Sequence, residues 1–223
     1  MPEHRWKRLF DIALAGGALV AAAPVLGVLA VAIKVDSPGP VLFRHTRVGR
    51  GRRLIQTMKL RTMRVAHAGP QITASHDPRI TRVGRVLRRA KLDELPQLWN
   101  VLRGDMSIVG PRPEVPEYVA IYRQDWAKLL AVAPGLTDAA SIIFRDEQRL
   151  LSQARDPERA YREIVMPMKL ELALRGVERS SLRNDLRVIK DTVLALFGRA
   201  TGQDVIAEAE RRIEELNRTI EES

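Results

Sequence analysis

Residues 12 to 33 read IALAGGALVAAAPVLGVLAVAI, from Ile12 to Ile33, a run of 22 residues without a charge. At 1.5 Å per residue a straight helix of about 20 residues crosses the hydrocarbon core of a bilayer, so length permits a span. Pro24 sits near the middle of the run. It lacks an amide donor and clashes with the preceding turn, which predicts a kink or a reversal there. Both flanks are basic: Arg5, Lys7 and Arg8 precede the run, and residues 34 to 64 hold nine cations against the single acid Asp36. Positive flanks stay cytoplasmic. A helix, break and helix that enters one leaflet and returns satisfies the length, Pro24 and the two flanks together; a full span satisfies the length alone. A secretory leader would explain the basic start and Ala21-Ala22-Ala23, but the apolar run continues to Ile33 and Asp11 stands where its apolar core would begin. Gly16, Gly17, Gly27 and Pro24 argue against the core helix of a soluble protein.

Around this segment the chain is long enough to bury a core, with 223 residues that are 45% hydrophobic and 29% charged. Lysine and arginine total 37 against 27 acids, a net charge of +10 that calls for an anionic partner: nucleic acid, an acidic membrane or a phosphorylated substrate. A nucleic-acid binder would leave the apolar run unexplained, and 4% aromatic residues offer little stacking surface. With no cysteine there is neither a thiolate nucleophile nor a thiolate zinc site, and His4, His45, His67 and His76 show no paired metal-ligand spacing.

SPGP at Ser37 to Pro40 ends the helical pattern. VLFRHTR and RRLIQTMKL then flank VGRG at Val48 to Gly51, which reads as a β-hairpin. Ala66 to Pro78 reads as a loop, with a helix resuming near Arg79. In that helix Ile80, Val83, Val86 and Leu87 recur at helical spacing, while Arg79, Arg82, Arg85 and Arg88 form a basic stripe that leads into the carboxylates Asp93 and Glu94. An isolated stripe of this kind is a solvated surface; one ending in an acidic pair is suited to holding a phosphate and attacking it. GDMSIVGPRPE at Gly104 to Glu114 and APGLTDAA at Ala133 to Ala140 are loop-like and separated by a helical stretch. Further helices are expected at Pro157 to Arg175, bent at Pro167, and at Leu182 to Phe197, where Leu182, Leu186, Ile189, Val193 and Leu196 share a face that packs on the domain or lies on a membrane. Ile206, Ala209, Ile213, Leu216 and Ile220 mark a terminal helix that packs on its own domain, with a homodimer through this helix as the alternative.

KRLFDIALA from Lys7, the proline in the apolar run, SPGPVLFRHTRVG, KLRTM from Lys59, LDELPQLWNVLRGDMSIVGPRPE, PGLT from Pro134 and MPMKLELAL from Met166 occur in one order. In this the chain resembles the bacterial sugar transferases, the monotopic phosphoglycosyl transferases that begin glycan assembly on undecaprenyl phosphate. The resemblance implies a mostly helical α+β fold: a re-entrant membrane helix turning at Pro24 (residues 1–36), a small cytosolic catalytic domain with amphipathic interface helices (37–200), and a charged C-terminal helix (201–223). It implies a location on the cytoplasmic face of the inner membrane, a UDP-sugar donor and a polyprenyl phosphate acceptor. It also implies Mg²⁺, UMP release, and attack by Asp93 on the β-phosphorus to give a covalent phosphosugar intermediate. Two departures stand out. Asp138 follows PGLT where the commoner pattern has glycine, at the nucleotide-side loop, and the extra transmembrane helices of larger members are missing, as expected of a minimal form.

Transfer of a phosphosugar between two anions needs cations before a nucleophile can approach phosphorus. A carboxylate nucleophile divides the transfer into two steps through an acyl phosphate. Asp93 is the expected nucleophile and Mg²⁺ ligand. Glu94 points about 100° away from Asp93 on a regular helix and is assigned to metal or proton handling, with distortion before Pro96 as the device that brings the two together. Lys59, Arg88 and Arg112 are the expected phosphate ligands, Arg112 because Pro111 and Pro113 fix its backbone and a guanidinium binds phosphate through two donors. Gln97 and Thr137, inside the quoted motifs, complete the substrate-binding set. A membrane-anchored scaffold without catalysis explains the segment and the charge but leaves LDELPQLWNVLRGDMSIVGPRP as coincidence. The sugar and the pathway served, whether capsule, exopolysaccharide or glycoprotein, stay open.

Overall fold

The computed structural model describes residues 5–64, 77–199 and 201–221. The loop expected at Ala66 to Pro78 lies almost wholly outside these. Of the described residues, those up to Arg64 and from Pro78 to Leu136 form one compact unit, and Asp77 with those from Thr137 onward form a second. The fold is a mostly helical α+β arrangement with two two-stranded sheets.

The first unit begins with α1 (Arg5–Asp36), a 32-residue helix that carries Pro24 inside it. The expected break is therefore not an interruption of helical backbone: a proline removes one donor, and a helix with intact turns on either side survives that loss by bending. Two polar clamps hold the ends of α1 to this unit. Near the start, Asp11 is buried and accepts from the Ser107 hydroxyl at 2.8 Å and the Ile108 amide at 3.2 Å. Arg8 donates to the carbonyls of Val101 and Leu102 at 2.6 and 2.8 Å. At the far end the buried Arg61 donates to the carbonyls of Pro38 and Ser37 at 2.6 and 2.7 Å, just past the helix terminus. There Ile33, Leu60 and Leu87 form an apolar cluster joined by Leu26, Leu29 and Leu92. The middle of α1 has no such cover, and Val20 is 77% exposed.

The hairpin forms as expected: β1 (Leu42–Val48) pairs antiparallel with β2 (Leu54–Leu60), in register from Leu42 opposite Leu60 to Val48 opposite Leu54. After it, α2 (Arg82–Ala90) is capped by Thr81, whose hydroxyl accepts from the Gly84 amide at 2.9 Å. A Cβ on Gly84 would stand 2.0 Å from the Thr62 carbonyl oxygen, so only glycine lets α2 lie this close to the chain leaving β2. Next comes α3 (Gln97–Arg103), whose buried Asn100 accepts from the Met58 amide at 3.0 Å and donates to the Gln56 carbonyl at 2.8 Å, fastening α3 to the edge of β2. The two stretches read as loops each contain a short strand, β3 (Ser107–Val109) and, beyond α4 (Pro116–Ile121) and α5 (Arg123–Leu129), β4 (Gly135–Thr137). Three residues are too few to show a period in sequence. The pairing depends on Gly110, where a Cβ would meet the Ala133 carbonyl oxygen at 2.6 Å.

In the second unit α6 (Ala139–Ile143) is capped by Asp138, whose carboxylate accepts from the Ser141 amide at 2.7 Å, so the departure after PGLT has a local structural use. Beyond α7 (Glu147–Leu151), the helix expected at Pro157 to Arg175 appears as α8 (Pro157–Ala160), a π-helical turn at Tyr161–Val165, and α9 (Met166–Glu178). The widened turn makes room for Pro167 at the head of α9. In α10 (Leu182–Leu196) the buried face holds Asp185 and Ala195, while Leu182, Leu186, Val193 and Leu196 point outward. The terminal helix α11 (Gln203–Glu221) buries Ala209 and Ile213 within its own unit and is held by Asn217, which accepts from the Arg155 amide at 2.9 Å and donates to the Gln153 carbonyl at 3.0 Å.

Candidate active site

The acidic pair lies on a single 3-10 turn, Leu92–Glu94, between α2 and α3. Lys91 ends α2 in the left-handed region at φ 57°, its amide donating to the Arg88 carbonyl at 3.2 Å. Pro96, which cannot continue the ladder of α2, starts α3 immediately afterwards. Regular helix thus gives way to a 3-10 turn directly before Pro96. Leu92 drops into the apolar cluster beneath the end of α1, and the turn is held from below.

The two carboxylates meet different surroundings. Lys59 on β2 donates to Glu94 Oε1 at 2.9 Å, and Arg112 binds the same carboxylate through both terminal nitrogens, Nη1 to Oε2 at 3.1 Å and Nη2 to Oε1. Burial pushes the Glu94 carboxyl up, but the charges and hydrogen bonds of Arg112 and Lys59 more than offset that and hold it well below the usual carboxylate range. Asp93 is 8% exposed, and its Oδ1 has no hydrogen-bond partner among the described residues. Burial raises its affinity for a proton, Lys59 opposes this, and the Glu94 charge adds to it; the result is a raised value. One helical turn on, the buried Gln97 presents a side-chain nitrogen that likewise lacks a partner among the described residues. A buried acceptor on the turn and a buried donor at the start of α3 are thus both left without a partner among the described residues.

Of the residues expected from sequence, Lys59, Glu94 and Arg112 are in direct contact, and Asp93 and Gln97 belong to the same turn and helix start. Arg88 sits at the last turn of α2 and donates from Nε to the Thr62 hydroxyl at 2.8 Å. Thr137 belongs to the second unit, where its hydroxyl and that of Thr192 are 2.8 Å apart. Lys59 and Arg112, expected as phosphate ligands, are engaged by Glu94. Lys91 was not foreseen: burial, before any neighbouring charge, lowers its affinity for a proton. Its left-handed backbone has no signal in sequence, since that region favours glycine or asparagine. His45, on the Lys59 side of the hairpin, is lowered to about 4 by burial and by the charges of Arg47 and Lys59, and so is neutral at physiological pH.

No group of three or more acidic or imidazole side chains that could hold a metal occurs among the described residues. Among the described residues the open Asp93 carboxylate oxygen is the kind of hard donor that a magnesium ion takes.

Comparison with known proteins gives this geometry its context. Residues 2–199 match the family model described as bacterial sugar transferase. The chain is 46% identical over 149 residues to the UDP-glucose:undecaprenyl-phosphate glucose-1-phosphate transferase of Caulobacter vibrioides, covering 61% of this chain and 53% of that protein. It is 39% identical over 197 residues to the protein of the same name from Escherichia coli, covering 86% of this chain and 40% of that one. The exopolysaccharide production protein PSS of Rhizobium leguminosarum bv. phaseoli is 38% identical over 205 residues, covering 88% of this chain and 97% of its own length. The chain thus spans about half or less of the Caulobacter and Escherichia relatives and nearly all of the Rhizobium one.

Proposed function

The chain belongs to the bacterial sugar transferase family, and from that premise we propose that it transfers a sugar 1-phosphate from a UDP-sugar to undecaprenyl phosphate, releasing UMP. The observation that carries this reading is the open, buried Asp93 oxygen beside a carboxylate that already gathers two cations. Asp93 attacks the β-phosphorus of the donor; the bond to the UMP oxygen breaks, and the phosphosugar is held as an acyl phosphate. An oxygen of undecaprenyl phosphate then attacks the same phosphorus and Asp93 leaves as a carboxylate. Lys59 and Arg112, oriented by Glu94, present positive charge to the transferring phosphate, and Gln97 donates to one of its oxygens. Magnesium, when bound at Asp93, supplies charge neutralisation for the phosphate oxygens.

A membrane location is supported by α1, which is long and apolar enough to cross a bilayer and is mostly uncovered. Both of its ends dock on the same unit, through Arg8 and Asp11 at the start and Ile33 at the finish. A straight crossing would carry those ends to opposite sides of the membrane, roughly 48 Å apart at 1.5 Å per residue. This supports a re-entrant segment that bends at Pro24, enters the inner leaflet and returns to the cytoplasmic face. The outward apolar stripe of α10 supports a second, interfacial contact.

The test is UMP release by detergent-solubilised protein with Mg²⁺, undecaprenyl phosphate and a UDP-sugar, beginning with UDP-glucose, the donor named for the Caulobacter and Escherichia relatives. Release by wild type, with a phosphosugar adduct trapped on Asp93 when acceptor is withheld, is the expected result. Release by Asp93→Asn at the wild-type rate would overturn the mechanism.

A further inference from the structure

Strand alternation gives the hairpin two faces. Lys59, paired with Phe43, points to one, and Met58, paired with Arg44, points to the other. On this second face Trp99 and Arg103 of α3 close over Arg44, Arg53 and Leu54, enclosing an open cleft of about 380 Å³. The side chains of Arg44 and Arg53 make no hydrogen bond or ion pair among the described residues. Arg103 has one acidic neighbour, Asp105, at 3.5 Å, and its side chain stays 61% exposed. Three arginines from separate parts of the chain therefore line a cleft in which Asp105 is the one acidic lining residue, and the lining is net positive. Cations gathered in this way repel one another until an anion sits between them. Trp99, 48% exposed, and Leu54, 63% exposed, supply an apolar wall beside that charge.

We infer that this cleft is a second phosphate-binding site, separate from the Asp93 turn, taking the phosphate group of an anionic lipid headgroup or of a soluble phosphate ester. Guanidinium groups meet phosphate oxygens through paired donors, and the indole covers the body to which the phosphate is attached. Neither Asp93 nor Glu94 takes part, so the site stands whether or not the transfer reaction does.

The experiment follows tryptophan emission of the full chain in uncharged detergent during titration with inorganic phosphate and, separately, with micelles containing phosphatidylglycerol or phosphatidylcholine. Trp99→Phe identifies the responding residue among the three tryptophans. A saturable response is expected, absent in Trp99→Phe, retained in Asp93→Asn, and weakened by about tenfold or more in Arg44→Gln/Arg53→Gln, which loses two charge-assisted contacts. Both arginines are exposed, so the double variant should keep the wild-type melting temperature. A response to phosphatidylglycerol alone supports a lipid headgroup, and one to inorganic phosphate, with or without the lipid, supports a general phosphate site. No saturable response to either, an undiminished response in the folded double variant, or loss of the response in Asp93→Asn overturns the proposal.

Discussion

The two sides of the Leu92–Glu94 turn share a backbone and differ in almost everything else. On one side Glu94 is gripped by Lys59 and by both terminal nitrogens of Arg112. On the other, Asp93 is buried with an oxygen that has no partner among the described residues. The first arrangement holds a charge in place, and the second withholds solvation from a charge, which suits the role of nucleophile proposed for Asp93. A carboxylate already bound by two cations is a poor nucleophile; an undersolvated one beside those cations is a better one.

Asp93→Asn tests the sharper half of this contrast. Activity should fall by about 10⁴-fold or more, because the amide cannot form the acyl phosphate. Stability should hold or rise in the same variant, since the burial of an ill-solvated charge is relieved. A marked drop in melting temperature would mean that Asp93 is a structural group. Glu94→Gln should do the reverse on stability, losing about 2 kcal/mol with its charged hydrogen bonds. The Glu94 value is lowered on folding, so its contribution is present in full above the ordinary glutamate value of about 4.3 and disappears as pH falls through the folded value. Denaturation of wild type and Glu94→Gln should therefore differ at neutral pH and converge in acid; a gap that persists at low pH would assign the loss to packing.

The same variant should move the acid limb of kcat/KM. With Asp93 as the proposed nucleophile, that limb reports its protonation in the free enzyme and should lie above the ordinary aspartate value, because Asp93 is raised by burial and by the Glu94 charge. Removing that charge favours ionised Asp93, so the limb should shift to lower pH in Glu94→Gln. A shift to higher pH would sever the coupling between the two sides of the turn.

Much of this contrast was legible in sequence, and the limits are instructive. The apolar run, the hairpin around VGRG and the carboxylates before Pro96 are local patterns, and each is in the structure. The convergence of Lys59 and Arg112 on Glu94 is not local: the partners are 35 and 18 residues away. Sequence singled out the cations as expected phosphate ligands and could not assign them to Glu94. Asp11 was read only as an interruption of an apolar segment, although its carboxylate joins α1 to β3 across 96 residues of chain. Lys91 escaped notice because a lysine in the left-handed region is imposed by packing around it and not by its own preference.

The finest test keeps the charge at position 112 and removes its shape. Arg112→Lys preserves a cation near Glu94 but replaces two parallel donors with a single ammonium point. If the grip on Glu94 depends on the fork, melting should register a loss of about 1.5 kcal/mol, one charged hydrogen bond, which is less than Glu94→Gln loses. The acid limb should then move little, since the Glu94 charge that raises Asp93 is still present. A limb that moves as far as in Glu94→Gln would mean that Arg112 acts on Asp93 directly. Unchanged stability together with lost turnover would instead show the fork acting on the transferring phosphate, with Glu94 serving only to hold it in readiness.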